Sequence, residues 1–168
     1  IEVDESNWMH YKDGWKLYTD ITGEARRMGI DFATSTMFTA FDNSNYQLCQ
    51  TYPRKLIMPK KVSDRKVYGA AQFRSKNRLP ALSYYDQRTG CSIWRCSQTN
   101  TGLFGKNSAD DEDLFYEISR CGKEGQQRNK CIIFDARPKL SAQGNKFKGG
   151  GFEDLRNYRN ASLEFCDI

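Results

Sequence analysis

Cys131 and Arg137 have five residues between them, the C-x5-R spacing of loops in which a cysteine thiolate attacks a bound phosphate. That chemistry needs a thiolate at the mouth of a loop whose backbone N–H groups converge on the anion. It also needs small residues, usually glycines, so that the backbone can close around the phosphate. Ile132, Ile133, Phe134, Asp135 and Ala136 fill the interval instead, with no glycine and with Asp135 adding the wrong charge. Cys131 to Phe134 reads as a buried strand, and the spacing as coincidence. Beyond it the chain turns polar, basic and glycine-rich. Gly144 and Gly149-Gly150-Gly151 share this loop with Arg137, Lys139, Lys146 and Lys148. Ligands of open α/β sheets bind just past the carboxyl ends of strands. On its residues alone, the loop is either a phosphate-approach loop or a flexible surface loop. Phe152 stands where a Walker A loop has Lys-Ser, and Asp154 breaks the dinucleotide fingerprint.

Other chemistry finds less support. His10 is the only histidine, so a serine nucleophile has no convincing base. Asp110 and Asp113 read as the solvated start of a helix, where negative charge suits the N-terminal dipole. The six cysteines form no C-x2-C pair, and neither zinc nor any other cofactor is expected. Their placement in apolar or alternating runs suits small buried residues in a reducing compartment. The sequon Asn160-Ala161-Ser162 would matter only in a secreted chain, and no signal peptide or ~20-residue apolar span is apparent. A cytosolic protein is the expectation, and the opening at Ile1 fits a processed piece.

Charge is unevenly placed. The net charge is +5, but Arg54 to Arg78 alone holds nine basic residues against Asp64, a local +8. Asp110, Asp111, Glu112 and Asp113 are the acidic counterweight. Such a basic run is either a solvated helix face or a patch for phosphate-bearing partners, whether an anionic membrane or nucleic acid. No RNP or KH signature accompanies it, which leaves nucleic acid an unlikely partner.

The elements that must position these residues follow from pattern. With 168 residues and 38% hydrophobic content, one domain with a real core is affordable. Trp15 to Tyr18 alternates, after a turn at Asp13-Gly14. Asp20 can cap a helix through Arg27, with Gly29 at its left-handed end. Met37 to Phe41 is a strand and Asp42 to Asn45 a turn. Leu56-Ile57-Met58 is a buried strand, and Ser63 caps a helix to about Ser75 with Val67, Ala70, Ala71 and Arg74 on one face. Ala81 to Tyr85 and Cys91 to Cys96 form an antiparallel hairpin around Asp86 to Gly90. Gln98 to Ser108 is a loop. Leu114, Phe115, Ile118 and Cys121 make the apolar stripe of the next helix. Gly122 to Lys130 is a polar linker, Glu153 to Arg159 one or two helical turns, and Ala161 to Ile168 a last strand. Helices between strands with one hairpin indicate an α/β fold.

Several motifs in order carry a resemblance. Phe73-Arg-Ser-Lys-Asn-Arg-Leu-Pro-Ala-Leu-Ser83 resembles the FRSRNRIPVLSW stretch of the myotubularin family, and Arg95-Cys-Ser-Gln98 with Gly102 its RCSQP…G segment. Phe134-Asp-Ala-Arg-Pro138, Asn145-Lys146, Gly149-Gly-Gly-Phe-Glu153, Tyr158 and Asn160-Ala161 resemble its DARP…ANK…GGGYE…Y…NAE series. Gly14-Trp-Lys-Leu-Tyr18, Arg27-Met-Gly29 and Leu48-Cys-Gln-Thr-Tyr-Pro53 match upstream, so the likeness runs from about residue 14 to 168. Gly144, Phe152, Thr99 and Tyr84 depart from the usual alanine, tyrosine, proline and tryptophan.

The resemblance implies residues 1–168 as the N-terminal portion of a cysteine-phosphatase-like α/β domain, a mixed sheet with flanking helices. It implies a phosphoinositide 3-phosphatase acting on phosphatidylinositol 3-phosphate and 3,5-bisphosphate through a cysteinyl-phosphate, with an aspartate as general acid. The family's own C-x5-R loop is expected beyond Ile168 and its PH-GRAM module before Ile1, so this chain would hold no catalytic residue and be inactive alone. Asn145, the asparagine of ANK, is the one implied substrate-binding residue, where an amide can hydrogen-bond phosphate or inositol hydroxyls. Implied partners are the phosphoinositide headgroup, an endosomal membrane surface, the rest of the phosphatase domain and a homo- or heterodimeric relative. A pseudophosphatase that binds lipid or regulates an active relative is the alternative. A half-sheet ending at Ile168 should expose an apolar edge.

Overall fold

The computed structural model describes residues 20–122 and 130–168. Expectations for the segment Trp8 to Tyr18, for His10 and for the linker between Gly122 and Lys130 lie outside the described residues.

The chain is a mixed α/β structure whose strands pair as three two-stranded ladders, two antiparallel and one parallel. The first ladder is the middle layer. β1 (Phe38–Asp42) pairs antiparallel with β2 (Lys55–Pro59), and Leu56, Ile57 and Met58 are all buried. Consecutive apolar residues point to opposite faces of a strand. Leu56 and Met58 therefore join Val67, Ala70, Ala71, Leu114 and Ile118 on one side. Ile57 joins Ala25, Phe38, Leu82 and Tyr85 on the other. An unbroken apolar run is what a strand covered on both faces requires. Each buried Leu, Ile, Val, Met or Phe among these side chains contributes about 1.5–3 kcal/mol, and the alanines less.

The helices begin where their caps predict. In α1 (Ile21–Arg27) the Asp20 carboxylate accepts the Thr22 N–H at 3.0 Å, and Gly29 takes φ 76° after the C-cap. α2 (Asp64–Gln72) packs on α3 (Ala109–Ile118), whose Ser108 hydroxyl accepts from Asp111 N–H at 3.3 Å. α2 stops at Gln72, short of Ser75, because Arg74 is extended (φ −105°, ψ 140°) and leaves the helix axis for a buried partner. β3 (Ala81–Asp86) and β4 (Cys91–Arg95) form the expected hairpin, with a register shift between Leu82 and Tyr84. Its turn is closed by Asp86, which accepts from Arg88 N–H and the Thr89 hydroxyl.

The C-terminal third departs from expectation in three places. β5 (Cys131–Asp135) pairs parallel with β6 (Ala161–Phe165), but only one face is covered: Ile132 is 49% exposed and Phe134 69%. The apolar run is half-buried, not buried. Lys139 to Lys148, expected as loop, is α4 (Lys139–Gly144) continued by a 3-10 turn (Asn145–Lys148), anchored by buried Ala142. Glu153 to Arg159 is turn rather than helix. The Asp154 carboxylate accepts from Arg156 N–H at 3.2 Å and from the Arg156 guanidinium, a local bond that competes with helical pairing.

Candidate functional site

Arg74 is the centre of the site's construction. Its side chain is 0% exposed. Nε and Nη2 donate to the two Asp111 oxygens at 2.9 and 2.6 Å. Nη1 donates to Glu153 at 2.5 Å and to the Ser97 carbonyl at 2.9 Å, and lies 3.7 Å from the Cys96 sulfur. The guanidinium also sits over the Phe115 ring at 5.1 Å, and the Tyr158 hydroxyl donates to Asp111 at 2.6 Å. Burial works against the charge of Arg74, yet the carboxylates of Asp111 and Glu153 hold its pKa well above the ordinary value. One side chain thus ties together α3, the segment after β4, and the loop before β6. A buried guanidinium with two carboxylates is costly to desolvate, and its worth lies in the single geometry it enforces.

Arg137 does the same work at the end of β5. Its Nε and Nη2 donate to Asp135 at 2.9 and 2.6 Å, Nη2 donates to the Gly151 carbonyl at 2.9 Å, and Nη1 donates to Gln98. Desolvation raises the Asp135 carboxyl, but hydrogen bonds and charge from Arg137 outweigh it and leave the pKa lowered. The glycine cluster packs between these anchors. Gly149 takes a left-handed φ of 85°. A Cβ at Gly150 would come within 2.7 Å of Gln98, and one at Gly151 would overlap the Thr101 hydroxyl. Gly102 N–H donates to the Gly150 carbonyl at 3.0 Å. Close packing of two backbone segments accounts for Gly150 and Gly151.

These contacts leave a recess of about 340 Å³ walled by Cys96, Ser97, Gln98, Asp135, Arg137 and Asn145, a volume at the small end of ligand sites. Asn145 stands on it because α4 and its 3-10 extension carry the residue back toward β5, where its carbonyl accepts from Gly150 N–H at 3.0 Å. No described residue hydrogen-bonds the Asn145 side-chain amide, and the residue lines the recess. A larger recess of about 480 Å³, beside β2 and β3, shares the Cys96–Ser97 wall but contains no residue implied in ligand contact.

The recess can position but not attack. Cys96 is exposed as a residue, but its sulfur lies 3.7 Å from the buried Arg74 guanidinium and desolvation there pushes the thiol up to about 11. Burial does the same to the Cys131 thiol, so both stay protonated at neutral pH. Cys131 opens an extended strand that runs to Asp135, two residues before Arg137, and its five residues span roughly 13–17 Å, too far to close around one phosphate. Arg137, moreover, is committed to Asp135. The C-x5-R spacing carries no mechanism in this chain. Among the described residues, no group of three His, Cys, Asp or Glu side chains could hold a metal ion, and no helix is long and apolar enough to cross a membrane.

The basic run dissolves into separate contacts. Arg74 is buried, Arg65 pairs with Asp110 at 3.4 Å and Lys66 with Asp113 at 2.5 Å. Lys60 donates to the Ser35 carbonyl at 2.7 Å and Arg78 to the Thr51 hydroxyl at 2.8 Å. The acidic run, expected to be solvated, splits likewise, since Asp111 is fully buried. Pattern reasoning placed Arg74 on the Val67, Ala70 and Ala71 face without a partner and missed Asp111, Glu153 and Tyr158. One signal was available: Asp111 falls on the Leu114, Phe115 and Ile118 stripe, and Arg74 follows the Val67, Ala70 and Ala71 stripe.

Comparison with known proteins covers nearly the whole chain. A model of the myotubularin-like phosphatase domain matches residues 2–168. Phosphatidylinositol-3,5-bisphosphate 3-phosphatase MTMR2 of Bos taurus is 41% identical over 157 residues, which is 94% of this chain and 24% of that protein. Myotubularin of Xenopus laevis is 40% identical over 157 residues, 94% of this chain and 25% of the relative. Myotubularin of Rattus norvegicus is 40% identical over 156 residues, 93% and 25% respectively. The chain spans about a quarter of the length of these relatives.

Proposed function

The chain belongs to the myotubularin-like phosphatase family, and from that premise we propose that it forms one wall of a phosphoinositide 3-phosphatase site. Asn145 hydrogen-bonds the inositol headgroup, and the Arg74 and Arg137 anchors hold that wall in place. The nucleophile comes from a C-x5-R loop outside these 168 residues. Its thiolate attacks the phosphorus of the 3-phosphate, an acid protonates the departing inositol oxygen, and water then hydrolyses the cysteinyl-phosphate. The substrates are phosphatidylinositol 3-phosphate and the 3,5-bisphosphate, met at endosomal membranes by a peripheral cytoplasmic protein.

The observation that carries the reading is the convergence of the motif residues Cys96, Ser97, Gln98, Asp135, Arg137 and Asn145 on one recess, with the Asn145 amide unengaged. Raised thiols at Cys96 and Cys131 support assigning the attack elsewhere. The test compares the full-length protein with residues 1–168 alone on both lipids, reading phosphate release and the position of the phosphate lost. Release from the 3-position by the full-length protein only is expected. Turnover by residues 1–168 alone would overturn the assignment. Lipid binding by the full-length protein without turnover would turn the reading to a pseudophosphatase.

A further inference from the structure

Besides Phe134, which lines the recess itself, exposed apolar side chains cluster on the segments that carry Asn145 and pack against Gly150. Phe104 is 94% exposed, Leu140 81% and Phe147 77%, with Leu103 also exposed. They lie on two adjoining segments. Gly102, which precedes Leu103 and Phe104, is bonded through its N–H to the Gly150 carbonyl, and its Cβ position lies 3.8 Å from Gly149, just after Phe147. Gly102 and Gly105 both take left-handed φ values (59° and 63°), so Leu103 and Phe104 form a tight tip between two glycines. Leu140 and Phe147 are seven residues apart on the helical stretch that also carries Asn145. Lys106, Lys139 and Lys148 punctuate the same two segments, Lys146 between them lies over the Phe152 ring at 4.3 Å, and Asp154, an acid near Lys146, is paired with Arg156 at 2.5 Å.

We propose that the Leu103–Phe104 tip and the Leu140–Phe147 helical stretch, with their lysines, are the surface that docks this protein onto an anionic lipid bilayer. The proposal rests on the phosphoinositide reading of the neighbouring recess and names the surface that presents it to lipid. Apolar tips among lysines suit a bilayer: the rings enter the headgroup and acyl boundary while the ammonium groups remain at anionic headgroups. A lipid headgroup held at Asn145 brings the bilayer surface to the end of the short helical stretch that bears Phe147. The other exposed apolar face has a different character. Ile132 and Phe134 lie on a strand face, and Phe134 is in register with Glu164, which fits a protein neighbour. The Arg54 to Arg78 run does not serve, because its cations are largely engaged with protein groups.

The test uses the full-length protein and a Leu103→Ser, Phe104→Ser, Phe147→Ser variant, with two substrates: soluble dibutanoyl phosphatidylinositol 3-phosphate, and the long-chain lipid in vesicles containing phosphatidylserine. A fall of about tenfold or more on vesicles, with soluble turnover within about twofold, is the expected result. A Phe104→Trp variant reports insertion directly, through added fluorescence quenched by brominated lipid tails. Equal losses on both substrates, unchanged vesicle turnover, or an unquenched indole at position 104 would each overturn the proposal. A quenched indole in a protein that hydrolyses neither substrate would overturn the phosphatase reading and leave the docking surface standing.

Discussion

Asp111 and Asp113 are two residues apart on α3, and each meets a cation from α2 or the residues just after it. The two pairs nevertheless belong to different physical regimes. Lys66 and Asp113 are 37% and 52% exposed, so water and salt screen their 2.5 Å contact. Arg74 and Asp111 are both 0% exposed and share their charges with Glu153 and Tyr158. The exposed pair decorates a helix packing. The buried cluster decides where three separate segments meet, and so where the recess lies.

The widest gap should open on removing the buried cation. Arg74→Met leaves Asp111 and Glu153 without compensation and should cost about 3–5 kcal/mol, read as a fall in urea midpoint with an unchanged slope. A cost under about 1 kcal/mol would erase the distinction between the two pairs. Tyr158→Phe should cost less, about 1–3 kcal/mol, by removing one of the two hydrogen bonds to an Asp111 oxygen that Arg74 still holds. Burial, with Asp111 adding to it, raises the Tyr158 phenol far above its ordinary value. Its contribution is therefore whole below pH 10 and lost as pH rises above that. The phenylalanine variant should show a shallower alkaline decline in midpoint above pH 10, and an unaltered decline would contradict the coupling. Lys66→Ala should cost less than about 1 kcal/mol, and salt should shrink even that. The smallest effect belongs to Cys131→Ser. Turnover by the full-length protein should stay within about twofold, because a protonated strand thiol does no chemistry.

The same contrast explains what the sequence made legible. Caps and turns are local, so Asp20, Ser63, Gly29 and the Asp86–Gly90 turn could be placed from neighbours alone. β2 was legible because Leu56-Ile57-Met58 has only one comfortable environment. The α/β class followed from the order of helices and strands, and the family from motifs in register. The cluster was not legible, because Arg74 hides within a basic run and Asp111 within an acidic one, 37 residues apart. Charge runs describe composition, and only tertiary packing sorts their members into buried and solvated. Lys139 to Lys148 was misread for a related reason, since Pro138 before it, Gly144 and its three lysines look like loop and a single alanine, Ala142, anchors the helix. Asn145 was reached through resemblance. Nothing in its spacing indicated that a helical stretch would set it on a recess.

The central claim is that Arg74 and its partners exist to hold a wall on which Asn145 meets an inositol headgroup. Asn145→Ala in the full-length protein, assayed on soluble dibutanoyl phosphatidylinositol 3-phosphate, tests it most directly. Losing a hydrogen bond to a charged phosphate should lower kcat/KM about 10- to 100-fold, with the urea midpoint unmoved. An unchanged kcat/KM in the folded variant would contradict the account.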